Sequence, residues 1–313
     1  MISKLSAFDS PELLSKVKDI KGSIKQKDLV DFSECEIANI PLGGAMSKFC
    51  VIYNNQIYLL KFDKLESSAT ISEYIASRIC NEMDMNCQEV LLGFYNGKRC
   101  CAIKSFSNYD LDIHAYKEIN DSSVDDNSKD IKDLPYNLSH IKEVIENYTN
   151  CLDTVNIRLK KFQEMCFFDT LIGNFVRHWG NWGLLGEYKD YICCPLFDNG
   201  SSLFPSRLTE NLVAINSSSN ELLKRVYEFL TSQIRNDFNN RKMTYDNLID
   251  NIIKLFGLEE LQLFVNKFNS IDVKDLIYND NVLNSVLTPH DKRFLYSILL
   301  LRFKLLLERK CSR

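Results

Sequence analysis

Apolar and polar positions follow two periods along this chain, and the change from one to the other divides it. From Glu34 to Phe106 the pattern is mainly that of strands. Cys35, Ile37 and Ile40 lead into Leu42-Gly43-Gly44-Ala45, and KFCVIYNNQIYLLKF then predicts a hairpin turning at Asn54-Asn55, because asparagine tolerates the positive φ such turns need. Residues 67–85 change to helical spacing, with Ile71, Ile75, Ile79 and Met83 on one face and Ser68 or Thr70 as caps. Two further strand-like runs, Glu89 to Tyr95 and Lys98 to Phe106, meet at Asn96-Gly97, a strong hairpin signal. The order is β-β-β-α-β-β.

On either side the pattern differs. Residues 1–33 read as a polar lead-in, with Ser10-Pro11 as a helix start and Leu13, Leu14 and Val17 on one face. Residues 107–133 are rich in aspartate (Asp110, Asp112, Asp125, Asp126, Asp130, Asp133) and poor in apolar anchors, which predicts a connector. From 134 to 313 the chain is mainly helical, with helices expected at 138–150, 154–173, 220–238, 245–256, 259–268 and 289–309. Residues 174–205 interrupt them with Gly, Asn and Asp signals and the short strand-like runs Trp182–Leu185 and Tyr191–Leu196. The expected architecture is α+β and two-lobed, with a β-rich N-lobe (34–106) and a helical C-lobe (134–313).

Composition narrows the classes without naming a function. The 313 residues are 45% hydrophobic and 26% charged, with a net charge of −4. That is an ordinary globular balance, and its slight acidity argues against direct nucleic-acid binding by a broad basic face. No signal-type apolar stretch opens the sequence, and no uncharged apolar run reaches membrane-spanning length. The 11 cysteines are odd in number and contain no CxxC, and with 4 histidines a zinc cage is not expected. Cys100-Cys101 and Cys193-Cys194 lie in apolar runs as small hydrophobes, so a reducing cytoplasm is expected. The last helix, HDKRFLYSILLLRFKLLLERK, is apolar with basic residues near its end, as suits a membrane-surface helix or, more simply, a bundle helix whose cations meet its carbonyl end.

Four features stand in the order that phosphoryl transfer from ATP requires. Gly43-Gly44-Ala45-Met46-Ser47-Lys48 lies between strands, where small residues let backbone N–H groups approach phosphate. Lys61 sits inside the apolar strand Ile57–Phe62 and needs a partner there, and Glu73 on the following helix can supply one. Asn174-Phe175-Val176-Arg177-His178-Trp179-Gly180-Asn181-Trp182-Gly183 follows a long helix, and Pro195-Leu196-Phe197-Asp198-Asn199-Gly200 ends a strand in a carboxylate suited to Mg²⁺. Each has a plainer reading alone: a hairpin turn, a snorkelling lysine, a loop, an Asp-Asn-Gly turn. Their joint order is far more specific.

The loop NFVRHWGNWG followed by PLFDNGSSLFP resembles the HipA-like serine/threonine kinases, and most of all their short cell-translocating kinase A type, whose loop reads N-F-D-R-H-x-G-N-W-G. The GGA loop, the YLLKF strand, SEYIA and DTLIGNF are similar too, so the resemblance runs from about Cys35 to the helices near residue 250. It implies a two-lobed protein-kinase-like fold binding ATP and Mg²⁺, with transfer of the γ-phosphoryl group to Ser or Thr of a protein. By this resemblance Gly43, Gly44 and Ala45 cover the phosphates, Lys61 contacts them under the orientation of Glu73, and Ile103, Lys104, Ser105 and Phe106 form the adenine hinge. Asn181 and Asp198 would bind the metal. A protein substrate and an antitoxin-like partner are the partner classes it implies, with cytoplasmic residence or delivery outside the producing cell. Pro41 stands where larger HipA proteins carry an autophosphorylated serine.

One position breaks the pattern: Val176 stands where the family has its catalytic aspartate. An isopropyl group accepts no proton, and losing a positioned base costs about 10²–10⁴-fold. Three readings follow. Val176 is an inactivating change, since Asp and Val codons differ by one base; or it marks a natural nucleotide-binding pseudokinase with a regulatory role; or His178 or Asp169 substitutes as base. Phosphoinositide kinases, which use a similar Asp-Arg-His loop, are the remaining enzyme alternative.

Overall fold

The computed structural model describes residues 20–39, 48–64, 67–109, 112–116, 136–147, 152–187, 190–204, 212–228 and 230–312. A six-stranded sheet in the order β1-β5-β6-β4-β3-β2 forms the N-terminal part. Its strands are β1 (Val30–Asp31), β2 (Glu36–Ala38), β3 (Lys48–Tyr53), β4 (Gln56–Phe62), β5 (Val90–Tyr95) and β6 (Lys98–Lys104). All neighbours are antiparallel except β1, which runs parallel to β5. Asn54 and Asn55 take φ of 49° and 59°, and Asn96 and Gly97 take 49° and 72°, as the two expected hairpin turns require.

Helix α1 (Ala69–Glu82) packs on this sheet. Ser68 is its N-cap, yet the serine side chain makes no capping bond. Asp63 does that work instead: it accepts from Thr70 N at 3.0 Å and Thr70 Oγ1 at 2.8 Å, and it pairs with Arg99 at 2.8 Å. The described part of the lead-in belongs to the sheet rather than standing before it. Ser23 bonds Ser77 and both main-chain groups of Val90, and Gln26 holds Leu92 N and O.

The described ends of the expected connector are likewise built in. A 3-10 turn, Phe106–Tyr109, follows β6, and β7 (Asp112–Ala115) pairs with β8 (Gly183–Glu187), which pairs with β9 (Asp190–Cys193). The rest of 107–133 lies outside the described residues. Helices α2 (Leu138–Asn147) and α3 (Leu152–Ile172) open the helical part. The helix expected over 220–238 stops at Tyr227, and Thr231–Arg235 is a strand, β10, paired with β11 (Lys242–Thr244). Tertiary bonds decide this: Arg235 N donates to Tyr136 O at 2.7 Å and Tyr245 N to Leu230 O at 2.8 Å.

The last helix, Pro289–Arg302 continuing as a π-helical stretch to Glu308, buries Phe294, Leu295, Ile298, Leu299, Phe303, Leu306 and Leu307 in the core. Among the described residues no helix is long and apolar enough to cross a membrane. Helix α1 is also tied to the helical part. Buried Asp280 accepts from Tyr74 Oη at 2.9 Å and Arg78 Nε at 3.4 Å, while its other oxygen caps the helix Asn281–Val286.

Candidate active site

Lys61 lies on β4 near the middle of the sheet, and α1 brings Glu73 against it. Lys61 Nζ is 2.8 Å from Glu73 Oε1 and 2.7 Å from Asp198 Oδ1. The Glu73 side chain is only 3% exposed, whereas that of Asp198 is 42% exposed. Burial alone would lower the Lys61 pKa, but Glu73 and Asp198 outweigh it and hold the ammonium above its ordinary range. Burial would raise Asp198, and Lys61 more than reverses that, so its carboxyl lies below the ordinary value.

The other Glu73 oxygen, Oε2, accepts the backbone N–H of Asn199 at 2.8 Å. Close approach is needed here: a Cβ on Gly200 would stand 3.2 Å from Glu73 Oε1. Asp198 itself adopts φ of 55°, a left-handed conformation that aspartate tolerates better than most residues. The strand leading to it is fixed to the exit of α1, because Leu196 N donates to Asn86 O and Gln88 N to Leu196 O, both at 2.9 Å.

Arg177 is the buried hub behind these groups, a role that residue type and spacing do not reveal. It is 3% exposed. Its Nε and Nη2 meet the two Asp169 oxygens at 2.9 Å each, and Nη2 also donates to Asn199 Oδ1 at 2.6 Å. Nη1 donates to the carbonyls of Asn181 and Phe197. One guanidinium thus joins α3, the 174–181 loop and the Asp198 loop. Burial would depress it, but Asp169 outweighs this and keeps it charged. Asp169 is 1% exposed and accepts on both oxygens, with Asn174 Nδ2 adding a bond at 3.2 Å.

The 174–181 loop is shaped by its main chain. Val176 N donates to Asn174 Oδ1 at 3.3 Å, and Val176 O accepts from His178 N at 2.7 Å and Asn181 Nδ2 at 3.3 Å. That last bond uses the amide nitrogen of Asn181, so its Oδ1 is the atom that could serve as an oxygen ligand. Tyr245 Oη donates to Asn174 O, and Gln233 Nε2 to Phe175 O at 2.7 Å. His178 is exposed, with Nδ1 accepting Gly180 N–H at 3.0 Å. Trp182 packs rather than projects: it stacks on Tyr116 at 4.5 Å and donates Nε1–H to Tyr136 Oη at 2.8 Å.

Gly43, Gly44 and Ala45 lie outside the described residues. At the end of β6, Lys104 N donates to Glu89 O and Ser105 N to Ile57 O, both at 2.9 Å. Those amides are therefore spent inside the sheet, and Phe106 N–H begins the next turn. Among the described residues no group of three or more His, Cys, Asp or Glu side chains could hold a metal by itself. Asn181 and Asp198 provide a pair of hard oxygens, as suits an ion shared with phosphates.

Comparison with known proteins bears on the fold. Over 284 residues the chain is 29% identical to the serine/threonine-protein kinase CtkA of Helicobacter pylori, covering 86% of this chain and 84% of that protein. The crystal structure of the H. pylori proinflammatory kinase CtkA matches with a TM-score of 0.79 at 28% identity, over 91% of this chain and 98% of that one. In sequence and fold the chain resembles the HipA-like kinases. HipA of a Shewanella oneidensis toxin–antitoxin system, solved with HipB and operator DNA, stands further off at a TM-score of 0.49 and 12% identity, over 95% of this chain and 71% of that one. No family model matches. The fold is α+β, two-lobed and kinase-like, and within it the chain places Lys61, Glu73, Asn181 and Asp198, with valine at 176.

Proposed function

We propose that the chain binds Mg·ATP between its sheet and its helical part, and that it is built to pass the γ-phosphoryl group to a Ser or Thr hydroxyl of a protein. In this sequence Val176 leaves that transfer strongly impaired. The observation that carries the reading is the Lys61–Glu73–Asp198 constellation, a partly exposed cation between a buried and an exposed carboxylate. The donor set fits the expected ligands: one ammonium for phosphate oxygens, and an amide oxygen with a carboxylate for a hard cation.

When bound, Mg·ATP supplies the transferable group and neutralises charge on its oxygens. Lys61 would hold phosphate oxygens while Glu73 fixes its direction. Asn181 and Asp198 would hold the metal, Gly43, Gly44 and Ala45 would let amides approach the phosphates, and the main chain of Ile103, Lys104, Ser105 and Phe106 would face adenine. Phe106 N–H is the hinge donor this reading favours, since the amides of 104 and 105 are engaged. At Val176 nothing accepts the proton of the attacking hydroxyl.

A second reading is a natural pseudokinase that binds nucleotide and acts by regulation. It is favoured by the loop's integrity, because the N–H and C=O of Val176 are both bonded without the missing carboxylate. The similarity to a serine/threonine-protein kinase over most of the chain supports a protein acceptor over a phosphoinositide. The test pairs Mg·ATP binding with radiolabelled phosphoryl transfer in this chain and in Val176→Asp. Transfer recovered by the substitution supports the impaired kinase, and binding without recovery supports the pseudokinase. Binding by neither sinks both readings.

A further inference from the structure

The hairpin β10–β11 carries the most exposed large apolar side chain among the described residues. Phe238, at its tip, is 93% exposed. The root of the hairpin is anchored by Ser232, Ile234 and Met243, all buried. Gln233 Nε2 donates to Phe175 O at 2.7 Å, directly before Val176. The hairpin therefore rises from the edge of the 174–181 loop.

The tip is held in one shape. Asn236 Oδ1 accepts from Phe238 N at 2.9 Å and Asn239 N at 3.3 Å, and Asn236 N donates to Arg241 O at 2.8 Å. Asp237 Oδ1 accepts from Ser139 N at 3.2 Å, which ties the tip to the start of α2. A phenylalanine fixed in water by its backbone loses little further freedom on binding, the condition for a strong anchor. Its charged neighbours are Arg235, Arg241 and Lys242 against Asp237, and Asn239 and Asn240 add amide donors and acceptors. The complement is an acidic surface with an apolar recess.

Gln233 and Phe238 are five positions apart, about 17 Å at most for extended chain. An extended acceptor segment with its hydroxyl at the 174–181 loop would reach the tip within about five or six residues. We propose that this hairpin is the docking element for the acceptor protein, with Phe238 entering an apolar recess in an acidic protein surface; this rests on the phosphoryl-transfer reading above. One aromatic ring on an otherwise polar tip fits a protein recess, whereas an interfacial membrane element needs a wider apolar face.

The test uses the full chain and labelled, dephosphorylated β-casein, an acidic extended protein with apolar segments. Fluorescence anisotropy is read for the parent chain, for Phe238→Ser and for a double Arg241→Glu, Lys242→Glu variant. Each substitution should weaken casein binding by about tenfold or more, with Mg·ATP binding and melting temperature unchanged because these side chains lie outside the core. Equal casein binding by parent and Phe238→Ser overturns the proposal, as does a parent that binds no casein. Loss of binding to phosphatidylserine vesicles, with casein binding intact, overturns it in favour of a membrane contact. Failure of every variant to bind Mg·ATP would remove the kinase reading, and the casein comparison would still decide whether the hairpin takes a protein.

Discussion

Glu73 Oε2 accepts the backbone N–H of Asn199 at 2.8 Å while Oε1 of the same carboxylate meets Lys61 at the same distance. One buried side chain on α1 thus positions both Lys61 and the loop that presents Asp198. Replacing it by alanine would strand the Asn199 N–H and leave Lys61 with Asp198 alone. Glu73→Ala should lower the unfolding free energy by about 3 kcal/mol and weaken nucleotide binding. Urea denaturation and ATP titration check this, with Glu73→Gln expected to fall between.

Val176 is the position where a single change should restore chemistry. Its main chain holds the loop whatever side chain it carries, so Val176→Asp should fold as the parent does. Phosphoryl transfer should rise by about 10²–10⁴-fold, with ATP affinity little altered. High activity in the parent would direct attention to His178.

Arg177 should tolerate no substitute. Lysine keeps the charge but cannot span Asp169, Asn199 and the two carbonyls at once. Arg177→Lys should therefore lose both loop geometry and stability, and Arg177→Met should cost about 3–5 kcal/mol by stranding buried Asp169. Thermal unfolding with and without Mg·ATP would show both the lower midpoint and a smaller shift on adding ligand.

Gly173 ends α3 with φ of 67°, and a Cβ there would overlap the guanidinium of Arg302. Arg302 is fully buried, donates to Ile172 O at 2.9 Å and lies 4.8 Å from the Phe204 ring centroid. Burial outweighs the opposing pull of Tyr245 and Glu228 and lowers its pKa to about 9. Gly173→Ala should destabilise the chain by about 1–3 kcal/mol. Melting temperatures of Gly173→Ala alone and with Arg302→Met would show whether the overlap is the cause, the pair then being non-additive.

The pH response of the Lys61–Asp198 pair has a defined sign. Asp198 is lowered from 3.8, so its contribution is present above that value and is lost as acidity carries the pH down through its folded-state pKa. Lys61 is raised from 10.5, so its contribution is present below that value and disappears as the pH climbs through a still higher folded-state pKa. Stability from the pair should be flat between about pH 5 and pH 9. In urea titrations Asp198→Asn should flatten the acid limb and leave the neutral range parallel to the parent.

Local chemistry made much of this legible beforehand. The hairpins at Asn54-Asn55 and Asn96-Gly97 and the helix carrying Ile71, Ile75 and Ile79 follow from turn residues and spacing. The region after Tyr227 was misread as helix because Leu230, Ile234 and their neighbours satisfy either period over so short a run. Bonds to Tyr136 and from Tyr245, distant in sequence, settled it as a strand.

The sequence by itself determined the kind of parts present: a lysine in a strand, a glutamate on the next helix, a loop asparagine, a strand-end aspartate and a valine among them. These are statements about residue type and order, and short-range physics suffices for them. Only the tertiary structure decided that Arg177 is the hub, that Asp63 rather than Ser68 caps α1, and that Phe238 stands bare at the tip of a hairpin rooted beside the 174–181 loop. Those facts depend on which distant groups satisfy a buried charge or an orphan N–H, and that is fixed when the chain closes on itself.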